Sequence, residues 1–275
     1  MHYQEWALEL LCRGNIDAKM QSPGQLSYDL LNPKVKVSDF DISKPCRDKK
    51  IAFSDIQTKF PKRTSFHLDE KRALALHFFA NHELLAIEMM AYALLYYPDN
   101  QVDSIQFKKG LVKTIEDEQK HFKLYLHRMR EFKCEFGDYP VNDFFWNQIP
   151  HLKTPSQFYA LMALTFEAAN LDFAAYYRDC FLSVDDKITA NIMQVVLNDE
   201  ITHVAKGQHY LNKWREDLTL WQYYLNNLPP ILTPARSKGI SFNEDVRKKA
   251  GLDDHFIQMV KDYRDDFGIT NRRNW

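Results

Sequence analysis

Two motifs in the chain, Glu118-x-x-His121 and Glu200-x-x-His203, set a carboxylate and an imidazole three residues apart. On an α-helix that spacing turns the chain by about 60°, so both side chains reach one point beside the helix and can hold a metal ion there. Their helical neighbours are apolar: Ile115, Phe122 and Tyr125 surround Glu118, and Val196, Leu197 and Val204 surround Glu200. Both motifs therefore face a core. Two further acids sit in the same way, Glu83 among Phe79, Ala80, Ala86 and Ile87, and Glu167 among Ala163, Leu164 and Leu171. An isolated buried charge costs many kcal/mol, and two divalent cations balance four carboxylates. The alternative is a bundle with buried Glu–Lys or Glu–Arg pairs and hydrogen-bonded core histidines.

Long helices must carry these residues. Glycine (8) and proline (11) are scarce in 275 residues, 45% of them hydrophobic, which leaves few tight turns. Helical patterning predicts a first long helix over 69–97, stopped by Pro98, and a second from Asp103 or Ser104 to about Cys134, before Gly137. After a long connection, Thr154-Pro155 offers an N-cap with proline in the first turn, opening a third helix that runs to about Leu182. Ser183 with Asp186 is a capping signal for a fourth helix reaching about Asp217. Two hairpins of long helices joined by one long crossover is an all-α, ferritin-like connectivity. Residues 1–68 form an N-terminal helix and an arm that wraps the body, 69–217 the four-helix bundle, and 218–275 a C-terminal helical extension. Within that extension 218–228 and 253–266 are predicted helical. Between them the basic stretch Arg236 to Lys249, with Arg247-Lys248-Lys249, is expected to be a solvated loop, with closure over an acidic substrate as the alternative, and Arg272-Arg273 is a basic tail.

Chain length selects among the acids. A first turn near residue 100 sets Glu118 opposite residue 82, and a turn near 182 or 183 sets Glu200 opposite residue 165. Glu83 and Glu167 fall within two positions of those marks, whereas Glu88 and Asp172 miss by about 9 to 10 Å along the helix. The two halves also repeat. Glu83, Glu88 and Tyr92 recur at an offset of 84 as Glu167, Asp172 and Tyr176, and Asp117-Glu118-x-x-His121 recurs at an offset of 82 as Asp199-Glu200-x-x-His203. This is the pattern of a duplicated hairpin. Asp117 and Asp199 either accept the second ring N–H of a ligand histidine or lie solvated on a helix surface. Glu88 and Asp172 are buried acids that need partners such as arginine or water, with an added ligand role as the alternative. Tyr92, Tyr125, Tyr176 and Tyr177 read as core residues or as electron-transfer aromatics.

One Glu from each of two helices plus Glu-x-x-His from each of the other two is the carboxylate-bridged dimetal pattern. Asn81-His82-Glu83-Leu84-Leu85-Ala86-Ile87-Glu88 resembles the first ligand helix of bacterioferritin-type proteins, and residues 69–217 resemble the ferritin-like superfamily. Within it the chain is similar to a bacterial family of ferritin-like proteins of unknown function and, more distantly, to tRNA hydroxylases. The resemblance implies Glu83, Glu118, His121, Glu167, Glu200 and His203 as ligands. Glu118 and Glu200 would bridge the metals, while Glu83 and Glu167 would bind one each. A carboxylate-rich set with only two imidazoles suits iron, with manganese the alternative.

The expected activity is therefore that of a di-iron, oxygen-dependent oxidoreductase or hydroxylase. Its partners would be dioxygen, an unidentified small-molecule substrate and an unknown electron donor. The alternative is a ferroxidase or iron-binding protein without organic substrate. A net charge of −1 and a pI near 6.8 argue against a generic nucleic-acid binder, although the likeness to tRNA hydroxylases leaves tRNA open. Four cysteines without a C-x-x-C pair exclude zinc-ribbon spacings and read as free thiols. With no basic-then-apolar leader and no uninterrupted apolar run, the expectation is a cytoplasmic protein without membrane contact, as a monomer or small homo-oligomer.

Overall fold

The structure, a computed structural model, describes residues 1–36, 38, 40, 42–97 and 103–264. It is all-helical: among the described residues there is no β-strand, only the isolated bridges His2–Ser27 and Phe53–Val141. The chain divides into two compact units, Met1–Ile149 and Pro150–Trp275. Each combines one hairpin of long helices with one terminal extension. Among the described residues no helix is long and apolar enough to cross a membrane.

In the first unit, α1 (Tyr3–Cys12) and the short α2 (Ile16–Lys19) precede the hairpin of α3 (Asp69–Tyr96) and α4 (Ser104–Glu131). α3 is buried around nearly its whole circumference from Ala73 to Leu95, because α1 covers one side and α4 another. α4 instead has one apolar stripe, Phe107, Leu111, Ile115, Phe122, Tyr125 and Met129, with lysines opposite. It ends three residues before the expected Cys134. Lys133 adopts φ +57°, and the Cys134 amide donates back to the Met129 carbonyl at 3.0 Å, closing a left-handed C-terminal turn. Gly137 (φ +94°) has a different role: its N–H donates to His77 Nε2 at 3.0 Å. The arm between α2 and α3 lies on this unit. Its tethers include Trp146 Nε1 to the Ser43 carbonyl (2.7 Å), Tyr96 OH to the Phe40 carbonyl (2.8 Å) and the Ser54 amide to the Val141 carbonyl (3.0 Å). The expected first turn, Pro98 to residue 102, lies outside the described residues.

In the second unit the predicted third helix is a single run of three geometries: α5 (Pro155–Leu161), a π-helical segment (Met162–Glu167) and α6 (Ala168–Leu182). Thr154 caps it, its hydroxyl accepting from the Gln157 amide at 3.2 Å. α7 (Lys187–Trp214) is capped by Asp186, which accepts from the Thr189 amide (3.0 Å) and hydroxyl (2.8 Å). Ser183, the expected cap, instead donates to the Cys180 carbonyl at 2.7 Å. α8 (Leu220–Asn227), α9 (Glu244–Lys249) and α10 (Asp254–Asp262) complete the unit. α9 corrects the expectation of a solvated loop: Arg247 within it is 1% exposed. The Arg272-Arg273 tail and the end of the predicted 253–266 helix lie outside the described residues.

Candidate metal centre

In the first unit, Glu83 from α3 meets Glu118 and His121 from α4, and one ligand atom from each lies within 4.8 Å of the others. All three are buried. His121 Nδ1 and Glu118 Oε2 are 3.0 Å apart. In the second unit, Glu167 from the π segment meets Glu200 and His203 from α7 within the same 4.8 Å limit, again buried. His203 Nδ1 lies 3.5 Å from Glu200 Oε2, and the Asn170 side-chain amide holds Glu200 Oε1 at 2.8 Å. In each unit the hairpin brings one acid from its first helix to a Glu-x-x-His on its second.

These spacings suit a metal. In an octahedral shell with bonds near 2.1 Å, adjacent donors sit about 3 Å apart and opposite donors about 4.2 Å. Two carboxylates converging in a buried site also repel unless a proton or a cation compensates them. Two carboxylates and one imidazole per unit make a hard, oxygen-rich donor set, which fits iron or manganese.

Glu88 and Asp172 go elsewhere. Glu88, fully buried on α3, accepts from Lys19 Nζ (3.0 Å), Arg47 Nη2 (2.7 Å) and Arg47 Nε (3.2 Å). Asp172, on α6, takes a bidentate grip from Arg247 (2.6 and 2.9 Å) and the amides of Gly239 (2.8 Å) and Asn243 (2.7 Å). Each repeat thus pairs a triad acid with an anchor acid five residues on, and the unit's own extension neutralises the anchor. Asp117 pairs with Lys113 on its own helix at 3.1 Å, and Asp199 is half-buried.

The π segment has local causes. The Thr165 hydroxyl donates to the Ala160 carbonyl five residues back at 2.8 Å and meets the Tyr224 hydroxyl at 2.8 Å. Gly207 on α7 lets Ala163 approach so closely that a β-carbon there would collide with the Ala163 methyl. The widened turn ends on Glu167, and single π turns inside α-helices are frequent at functional sites. Glu83, by contrast, sits in regular α-helix.

Two further histidines share α3 with Glu83, His77 buried and His82 half-buried. Desolvation lowers the His77 pKa to about 4, Asp138 opposing weakly and Lys50 adding to it, so the ring accepts the Gly137 N–H as a neutral base. Burial also lowers His82, stacked on Phe145, to about 4. Tyr92 stacks on Tyr96, Tyr125 lies against Phe79, and Tyr176 meets Tyr177 edge-on. Tyr159, which the sequence did not single out, lies within electrostatic reach of Glu167. Burial first, then Tyr210 and Glu167, push its hydroxyl well above the usual tyrosine pKa. Lys19, Arg47 and Asn170 were also missed. Arg247 stood out in the sequence only as part of a basic run.

The fold and site define an all-helical protein with a buried Glu/Glu/His triad in each of two repeated hairpins. The chain belongs to the family described as protein of unknown function (DUF455), whose model matches residues 12–258. It is similar to an uncharacterized protein of Haemophilus influenzae, 25% identical over 252 residues and covering 85% of each chain. No solved structure matches it.

Proposed function

We propose that each triad holds one metal ion, iron, with a donor set of the ferritin-like dimetal type, and that the protein is an oxygen-dependent oxidoreductase or hydroxylase acting on an organic substrate. The observation that carries this reading is the convergence, in each hairpin, of two buried carboxylates and one imidazole. Glu83, Glu118 and His121 would hold one ion, and Glu167, Glu200 and His203 the other. Bound iron supplies dioxygen binding and activation at positions the protein leaves open. The chain's own contribution is orientation and dryness. Asn170 fixes one Glu200 oxygen and leaves the other beside His203, while the apolar neighbours of both triads exclude bulk water.

A competing reading is a ferroxidase or storage protein. Against it, α1 covers α3 in the first unit, and α8 and α9 pack on α7 in the second, taking helix faces that cage contacts would use. The deciding experiment is anaerobic Fe(II) titration of the full chain, then air, followed by metal analysis, Mössbauer spectroscopy and mass measurement. The oxidoreductase reading expects uptake to stop near two irons per chain in a monomer or small oligomer. No retained metal refutes the centre; a cage-sized particle that goes on accumulating ferric mineral refutes the enzyme in favour of storage.

A further inference from the structure

Two of the four cysteines, Cys12 and Cys46, lie exposed at the junction of α1 with the arm, while Cys134 and Cys180 are buried. The Cys46 amide donates to the Leu11 carbonyl at 2.7 Å, and the Asp48 amide donates to the Gly14 carbonyl at 2.9 Å. The arm thus runs hard against the end of α1. A β-carbon at Gly14 would lie only 2.9 Å from the Asp48 amide nitrogen, so the approach requires glycine there. The Leu11 carbonyl belongs to the peptide that leads into Cys12. Standard bond lengths then bring the Cα atoms of Cys12 and Cys46 within about 7 Å of each other, close to the range that disulfides span. The two thiols lie within electrostatic reach of each other: burial first, then Cys46, raises the Cys12 pKa, and the Lys19 ammonium opposes that rise.

We propose that Cys12 and Cys46 are a redox pair that forms a reversible intramolecular disulfide by exchange with low-molecular-weight disulfides. One protein thiolate attacks the small disulfide, forming a mixed disulfide and releasing one small thiolate. The second protein thiolate attacks the protein sulfur of that mixed disulfide and releases the other. Two protein thiols are oxidised and one small disulfide is reduced to two thiols. The bond closes the chain between α1 and the arm around Lys19 and beside Arg47, the two cations that hold Glu88. Oxidation therefore staples the anchor of the ligand helix α3, and reduction releases the staple without touching a ligand.

The test is native full-length protein in graded glutathione disulfide–glutathione buffers, followed by alkylation, thiol counting, peptide mapping by mass spectrometry and thermal melting. The expected result is loss of two thiols, a linked Cys12–Cys46 peptide and a melting temperature raised by roughly 5 °C, all reversed by dithiothreitol. Cys12→Ser and Cys46→Ser should each stop at a glutathione adduct on the remaining cysteine and show no rise in melting temperature. Wild-type protein that accumulates separate adducts on both cysteines overturns the proposal, as does a link to Cys134 or Cys180. A linked Cys12–Cys46 form that melts below the reduced protein also overturns it, because the folded arm would then not accommodate the bond.

Discussion

Arg247→Ala tests whether the anchor acids are held by fixed protein cations. Asp172 is 1% exposed and accepts four hydrogen bonds, two of them from Arg247. The same guanidinium also donates to the carbonyls of Ala168 (3.2 Å), Ser237 (2.8 Å) and Asn243 (3.1 Å). Truncation leaves a buried carboxylate with two backbone donors and no hydrogen-bonded counter-charge. Breaking a buried pair from one side costs about 3–5 kcal/mol. For a unit of this size that lowers the melting temperature by roughly 10 °C or more. Asp172→Asn keeps the shape, removes the charge and strands the guanidinium instead, at about 2–3 kcal/mol. The double variant should be more stable than the sum of the singles by about 2 kcal/mol or more, since neither charge is left alone. Urea unfolding followed by circular dichroism gives the three differences, and hydrogen exchange over 234–262 shows whether the extension detaches first. An Arg247→Ala cost below about 1 kcal/mol with a coupling near zero would refute the reasoning, because a desolvated ion pair cannot be removed so cheaply.

Glu83→Ala should lose metal from anaerobically reconstituted protein, whereas Glu88→Ala should keep it and lose stability by leaving Lys19 and Arg47 buried without their carboxylate; metal analysis beside a melting curve separates the two. Gly207→Ala should destabilise the chain by about 1–3 kcal/mol, because the new methyl pushes the π segment off α7, and should weaken metal retention through Glu167. Unchanged stability would contradict the close approach. His77 stays neutral in the folded chain down to about pH 4 but protonates near 6.5 once unfolded. Its contribution is therefore complete above pH 6.5 and is lost as pH falls toward 4, by up to about 1.4 kcal/mol per unit. Urea titrations between pH 7 and 5 should show a shallower slope for His77→Gln than for wild type.

The long helices were legible because their signals are local. Apolar spacing along α4 and α7 and the three-residue gap in each Glu-x-x-His need no knowledge of partners. Choosing Glu83 over Glu88 required only chain length, and the structure places Glu83 with Glu118 and Glu88 with Arg47. What escaped depends on contacts distant in sequence. Arg47 reaches Glu88 from an arm without periodicity, so nothing local marks the pair. α9 has six residues, too few for a periodic pattern, and its Arg-Lys-Lys run read as solvated although Asp172 holds Arg247 in the interior. The π segment arises from Thr165, Tyr224 and the gap at Gly207, three features that residue spacing along one helix does not encode.

The anchor acids make the segments that flank the hairpins part of the folding decision. A hairpin of α3 and α4 that formed before the N-terminal arm arrived would leave Glu88 dehydrated and without its counter-charge. A hairpin of α5 to α7 without α9 would do the same to Asp172. Such an intermediate must keep that face wet or keep the acid protonated, and both weaken its packing. Each extension thus acts as a built-in proofreader: a truncated or misdocked chain retains an electrostatic fault five residues from a triad acid and is exposed to unfolding and proteolysis. In the second unit that check falls late in synthesis, because Arg247 lies 75 residues beyond the acid it neutralises.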